Sequence, residues 1–221
     1  MPIQALIFDF DGLILETELP DYQAWQEIYA EYGCSVPFLE WSSSIGTRAD
    51  AFDPHEYLEG QVGRRLDRDA IALKRRDRYH EMVRLLPVSP GVIDLIHSAR
   101  NRGLKVAVAS SASHGWVDGH LERLRILPYV DCIRCREDVT SVKPDPALYQ
   151  AVLRQFDLVP SEAIAFEDSP NGVAAAKAAG IFCVAVPNVM TRDLPLNHAD
   201  LLVRSLADIT LDDLIEHSDE K

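Results

Sequence analysis

The chain has 221 residues, 47% of them hydrophobic and 26% charged, which is enough for one sizeable globular domain with a small second one. Its 35 acidic residues against 22 basic give a formal net charge of -13, which argues against general binding to nucleic acid or to an anionic membrane. No apolar run approaches the length of a membrane span, and Met1 and Pro2 lead at once into a strand rather than a signal peptide, so the cytoplasm is the default location.

The first element is the apolar run Ile3 to Ile7, followed by Phe8, Asp9, Phe10, Asp11 and Gly12. Asp is disfavoured in strands, and two acids two residues apart on an extended chain point the same way, so a cation or a proton must relieve their repulsion. Next, Tyr22, Trp25, Tyr29 and Tyr32 recur at helical spacing, and Gly33 can close that helix. Ser42 to Pro54, with Gly46 and Pro54, reads as loop with short helices. A second long helix is predicted from about Leu66 to Leu86, with Ala70, Leu73, Tyr79, Met82 and Val83 as its inner positions. Residues 16–85 therefore read as an inserted helical cap domain.

Beyond Pro90, helices and strands alternate, the signature of parallel βαβ units. The predicted helices are Gly91–Arg102, His114–Arg125, Asp145–Phe156, Asn171–Ala179 and Leu211–His217. The predicted strands are Leu104–Ala109, Cys132–Cys135, Ala163–Phe166 and Ile181–Val186, with an edge strand at Leu201–Val203. Cys132 and Cys135 have the CxxC spacing but no second ligand pair, so they read as small half-buried strand residues and not as a zinc site. The expected fold is α/β: a Rossmann-like, doubly wound, mainly parallel sheet formed by residues 1–15 and 86–221, with the cap inserted between its first two strands.

Four polar groups fall at strand exits or just beyond: Asp9 with Asp11, Ser110 with Ser111, Lys143 before Pro144, and Glu167 with Asp168. In an open α/β sheet those exits share one edge, where ligands bind. A carboxylate pair, a hydroxyl, an ammonium and a second acidic pair suit a phosphoryl group with a divalent cation. Each group alone would pass as a solvated cap or turn residue; their joint placement on one edge is what points to a site.

DFDG, a strand ending in serine, KPDP and EDSPNG, in this order and over nearly the whole chain, resemble the haloacid dehalogenase superfamily. The similarity is to its helical-cap branch, which contains β-phosphoglucomutase, sugar phosphatases and phosphoglycolate phosphatases. The resemblance implies that Asp9 is the nucleophile that becomes an aspartyl phosphate and that Asp11 is the general acid and base. It implies that Ser110, Ser111 and Lys143 bind phosphate, and that Mg²⁺ is held by Asp9, by the Asp11 backbone carbonyl and by Glu167 and Asp168. Arg48 and Glu18 in the cap, and His114, are the implied substrate contacts, and Thr17 with Glu18 stands at the hinge into the cap.

The chain departs from the mutases of this branch at Asp21, where many relatives carry histidine, and at Ser113 and His114, where β-phosphoglucomutases tend to have Lys-Asn. The expected function is thus a Mg²⁺-dependent phosphatase, acting as a monomer on a small phosphorylated metabolite, a sugar or polyol phosphate. The alternative is a β-phosphoglucomutase-like hexose-phosphate mutase. A phospho-acceptor signalling domain is a distant third, because a receiver has no long insertion after its first strand. A non-catalytic binding relative would lack Asp9, Asp11 or Lys143.

Overall fold

The computed structural model describes residues 2–45 and 52–220, with the backbone alone for Ser43 and Ser44. Arg48, Gly46 and Thr47 lie outside the described residues. The described chain divides into two compact units, one running to Leu15 and resuming at Pro87, the other spanning Glu16–Leu86.

The first unit is built on a six-stranded sheet. Its strands are β1 (Ala5–Phe8), β2 (Lys105–Ala109), β3 (Cys132–Arg134), β4 (Ala163–Glu167), β5 (Phe182–Ala185) and β6 (Leu201–Leu202), in the spatial order β3-β2-β1-β4-β5-β6. Every pairing is parallel. β1 and β4 are buried along their whole length, as expected of strands covered on both faces, which read as unbroken apolar runs and not as alternation. On one face Ala5, Ile7, Ala107, Ala163 and Cys183 share a core with Leu148, Tyr149, Val152 and Val173 from the helices that flank β4. On the other, Phe8 and Phe166 stack at 4.7 Å between ring centroids.

The second unit is helical: α1 (Glu18–Glu31), α2 (Phe38–Ser44), α3 (Pro54–Val62) and α4 (Arg68–Leu85). The Glu16 carboxylate accepts from the backbone N–H of Glu18 and Leu19, satisfying donors that a helix start leaves open. α3 begins at the Pro54 that reads in sequence as the end of a loop; Asp53 caps it by accepting from His55 and Glu56 N–H, with Pro54 at the first position. Tyr22, Trp25 and Tyr29 are buried as their spacing predicts, but Tyr32 follows the last turn of α1 and is exposed. Tyr22, Trp25, Trp41 and Phe52 form a connected aromatic cluster.

The inner face of α4 differs from expectation. Ile71 and Val83 are the buried positions, Tyr79 and Met82 are half-buried, and Ala70 and Leu73 face solvent. The helix is turned because its seam with α1 is charged: Arg75 pairs with Asp21, Lys74 with Glu31 and Arg78 with Glu27. Long basic side chains cover apolar surface with their stems while their heads find carboxylates, so charge occupies a stripe that hydrophobic periodicity assigns to leucine and alanine.

The remaining helices are α5 (Val92–Asn101), α6 (His114–Arg123), α7 (Ala147–Phe156), α8 (Pro170–Ala178) and α9 (Leu211–Asp219). α7 starts two residues later than expected because Asp145 lies outside it and accepts from Ala147 N–H. Cys132 and Cys135 are buried rather than half-buried, and all four cysteines are free thiols. Among the described residues no helix is long and apolar enough to cross a membrane.

Candidate active site

The chain runs from β1 to β2 and β3 on one side, then returns to place β4 on the other side of β1. The strand order therefore reverses at β1, and the crevice outside its carboxyl end is where open α/β sheets bind ligands. Asp9 leaves β1 at that point, and its N–H extends the ladder by donating to the Phe166 carbonyl at 3.0 Å. Glu167 ends β4 and Asp168 follows it. Ser110 follows β2, with its N–H on the Arg134 carbonyl at 2.9 Å.

Asp9, Glu167 and Asp168 are all buried, and a carboxylate oxygen from each lies within 4.8 Å of the others. Lys143 enters this group from the loop before α7, across a cis Lys143–Pro144 bond. Its ammonium contacts Asp9 Oδ1 and lies 2.6 Å from Glu167 Oε1. Burial opposes the ammonium, but the Asp9 and Glu167 carboxylates outweigh it, so Lys143 stays charged well above its ordinary range. Glu167 shows the reverse balance: full burial pushes its carboxyl up to about 7 although Lys143 and Tyr149 pull it down. Tyr149, also fully buried, donates its hydroxyl to Glu167 Oε1 at 2.5 Å.

Two glycines make room for these carboxylates. A Cβ on Gly172 would lie 1.8 Å from Glu167 Oε2, and one on Gly12 would lie 2.1 Å from Asp168 Oδ2. Gly12 also has a positive φ of 81°, which its turn after Asp11 requires. Asn188 joins the two loops, donating its side-chain amide to Asp168 Oδ2 at 2.8 Å and to the Gly12 carbonyl at 3.3 Å. Its own Oδ1 accepts from the N–H of Met190 and Thr191.

A divalent cation fits this donor set. The three acidic side chains offer only oxygen ligands, which suit hard ions, and Glu167 Oε2 is a buried acceptor with no hydrogen-bond donor among the described residues. An uncompensated buried carboxylate oxygen is costly, and a cation would satisfy it.

The structure thus brings Asp9, Lys143, Glu167 and Asp168 together, with Asp11 two residues from Asp9. The Asp11 carboxylate is half-buried and accepts from the Trp116 indole N–H at 2.9 Å. Ser110 is buried, its hydroxyl accepting from Ala112 N–H at 3.0 Å, while Ser111 is exposed. His114 is turned to two carboxylates of its own, with Nε2 2.8 Å from Asp138 and Nδ1 3.3 Å from Asp118. Glu18 belongs to the helical unit, where it lines a 420 Å³ cavity with Asp21, Trp25, Trp41, His55 and Arg75. Tyr149, Asn188 and Trp116 had no signal in the sequence, because each meets its carboxylate across a long stretch of chain.

The profile of the family described as "Haloacid dehalogenase-like hydrolase" matches residues 6–186. "Putative phosphatase YhcW" of Bacillus subtilis (strain 168) is 41% identical over 215 residues, covering 97% of each chain. A "Phosphorylated carbohydrates phosphatase" of Thermotoga maritima is 30% identical over 192 residues, 81% of this chain and 82% of that one. Among solved structures, a CbbY variant from Rhodobacter sphaeroides in complex with xylulose-(1,5)bisphosphate superposes with a TM-score of 0.72 at 28% identity, covering 96% of this chain and 99% of its own.

Proposed function

Because the chain belongs to the haloacid dehalogenase-like hydrolase family and is a phosphatase of that family, we propose that it hydrolyses a small phosphorylated sugar or polyol, with Mg²⁺, through an aspartyl phosphate. The observation that carries the reading is the buried group of Asp9, Glu167 and Asp168 around the Lys143 ammonium at the strand-order reversal. It supplies a carboxylate nucleophile within reach of fixed positive charge, which is what phosphoryl transfer asks of a protein.

In the first step an Asp9 carboxylate oxygen forms a bond to phosphorus as the bond to the substrate oxygen breaks, and Asp11 gives that leaving oxygen a proton. In the second, Asp11 takes a proton from water as the water oxygen attacks phosphorus and the bond to Asp9 breaks. Lys143 balances charge on the phosphoryl oxygens throughout, and Ser110 and the main-chain donors after Asp11 and Ser110 orient them. A divalent cation held by Asp9, Glu167, Asp168 and the Asp11 carbonyl would add electrostatic stabilisation of the same oxygens.

The helical unit, residues 16–86, is read as the cap. Its cavity is lined by Trp25 and Trp41 together with the Asp21–Arg75 pair and Glu18. Aromatic side chains beside paired polar groups suit a sugar ring, which has apolar faces and a hydroxyl rim. The T. maritima and R. sphaeroides relatives point to the same class of substrate.

The test is release of inorganic phosphate from a panel of sugar, polyol, nucleotide and two-carbon acid phosphates, with and without Mg²⁺. Sugar or polyol phosphates should lead the panel, and Asp9→Asn should abolish release, trapping no phosphoenzyme. Turnover that survives Asp9→Asn or chelation sinks the mechanism, and a preference for nucleotides or two-carbon acids sinks the substrate class.

A further inference from the structure

The Trp116 indole donates to Asp11 Oδ1 at 2.9 Å. An indole nitrogen only donates, so this contact is made to an acceptor oxygen and gives nothing back. The ring is itself held. His120, one turn further along α6, meets Trp116 at a steep angle with centroids 4.2 Å apart, and the same imidazole lies 6.2 Å from the ring of Phe10, the residue before Asp11.

The helix start that carries the indole is anchored as well. His114 N–H donates to Glu137 Oε2 at 3.2 Å, and the His114 ring bridges Asp138 and Asp118. Cys135 N–H donates to the same Asp138 carboxylate, tying the first turn of α6 to the segment that follows β3. Trp116 therefore reaches Asp11 from a fixed platform and not from a mobile loop.

We propose that Trp116 is a positioning residue that holds Asp11 in the orientation needed for proton transfer. This rests on the acid–base reading of Asp11 above. A half-buried aspartate on a turn has several side-chain rotamers open to it, and catalysis tolerates little misplacement of the group that moves the proton. A donor-only contact on one oxygen selects among those rotamers without competing for the proton.

Two substitutions separate donation from bulk. Trp116→Phe keeps an aromatic ring and loses the N–H. Trp116→His loses the larger ring but puts Nε2 at the five-membered-ring position of the indole nitrogen. With the panel substrate turned over fastest, Trp116→Phe should lower kcat by about tenfold or more with KM within about threefold, and Trp116→His should recover part of that loss. In the Asp11→Asn background, Trp116→Phe should cost little more, because residues acting as a unit are not additive.

A second readout is free of turnover. The indole N–H resonance of Trp116, identified by its loss in Trp116→Phe, should move in Asp11→Asn protein. Wild-type kcat in Trp116→Phe, a histidine variant no better than phenylalanine, or an indole resonance unmoved by Asp11→Asn each overturns the proposal. If Asp11→Asn itself retains full activity, the acid–base reading fails and the proposal fails with it; if Asp11→Asn loses activity while Trp116→Phe keeps the wild-type kcat, only the proposal fails.

Discussion

Gly172 and Glu167 show how closely the candidate site is fitted at the scale of single residues. A methyl group at 172 would overlap the Glu167 carboxylate, which is fully buried and has no room to yield. Gly172→Ala should therefore destabilise the protein by about 1–3 kcal/mol in urea titrations, from overpacking against a polar group. It should also weaken Mn²⁺ binding measured by spin resonance. Gly119→Ala is the control: a Cβ on that helical glycine would meet nothing within 4 Å, and alanine there should be neutral or stabilising by up to about 1 kcal/mol. Equal losses in the two variants would show that the contact with Glu167 does not matter. The residues that bear charge at the site were legible because Asp9 and Glu167 with Asp168 fall at strand ends, where acids are out of place unless they have work to do, and because Lys143 stands before a proline in the KPDP run that opens the next helix. Their supports were not: an indole, a tyrosine and an asparagine look ordinary until the fold sets them against a carboxylate.

Among the elements, α6 depends on a titratable anchor. Burial works against the His114 imidazolium, but hydrogen bonds to Asp138 and Asp118 outweigh it and raise its pKa above the ordinary value. Asp138 is affected in the other direction: burial raises it, but Cys135 N–H and His114 together hold it below the usual range. A raised histidine pKa gives stability that is complete below about pH 6.5 and is lost as pH rises through the folded value. A lowered aspartate pKa gives stability that is present above about pH 3.9 and is lost as pH falls through the folded value. The anchor should thus be strongest between those limits. Thermal melts of wild type and His114→Asn from pH 4 to 9 should show a gap that narrows toward alkaline pH, and a gap independent of pH would refute the linkage. The strands and most helices of the sheet unit were legible because the buried strands read as unbroken apolar runs between turn signals and the helices keep one period. α4 was not, since its buried stripe is shared between Ile71, Val83 and the paired Arg75, and α3 was hidden by a proline that starts a helix as readily as it ends a loop.

For the molecule as a whole, the charge of -13 means that cations in general relieve repulsion, so a specific ion effect has to be told apart from screening. Mg²⁺ at about 100 times its dissociation constant should stabilise the native state by about 2.7 kcal/mol, a rise in Tm of several degrees for a chain of this size. Sodium chloride at matched ionic strength should give less, and Asp168→Asn should remove the difference. A Tm that follows ionic strength alone would mean that the three carboxylates bind no ion.

The central strand has a further consequence for how the chain is made. Ala5 pairs with Lys105 on one side and with Ala163 on the other, so the strand that delivers Asp9 emerges from the ribosome roughly 160 residues before its second neighbour exists. At roughly 5–20 residues per second, an apolar segment meant for the middle of the sheet waits about 8–30 s without its partner. Sequence separation of this order also slows folding, because the loop must close before the pairing is rewarded. The nascent protein should accordingly be a client of holdase chaperones, and no truncated chain ending before β4 should show phosphatase activity.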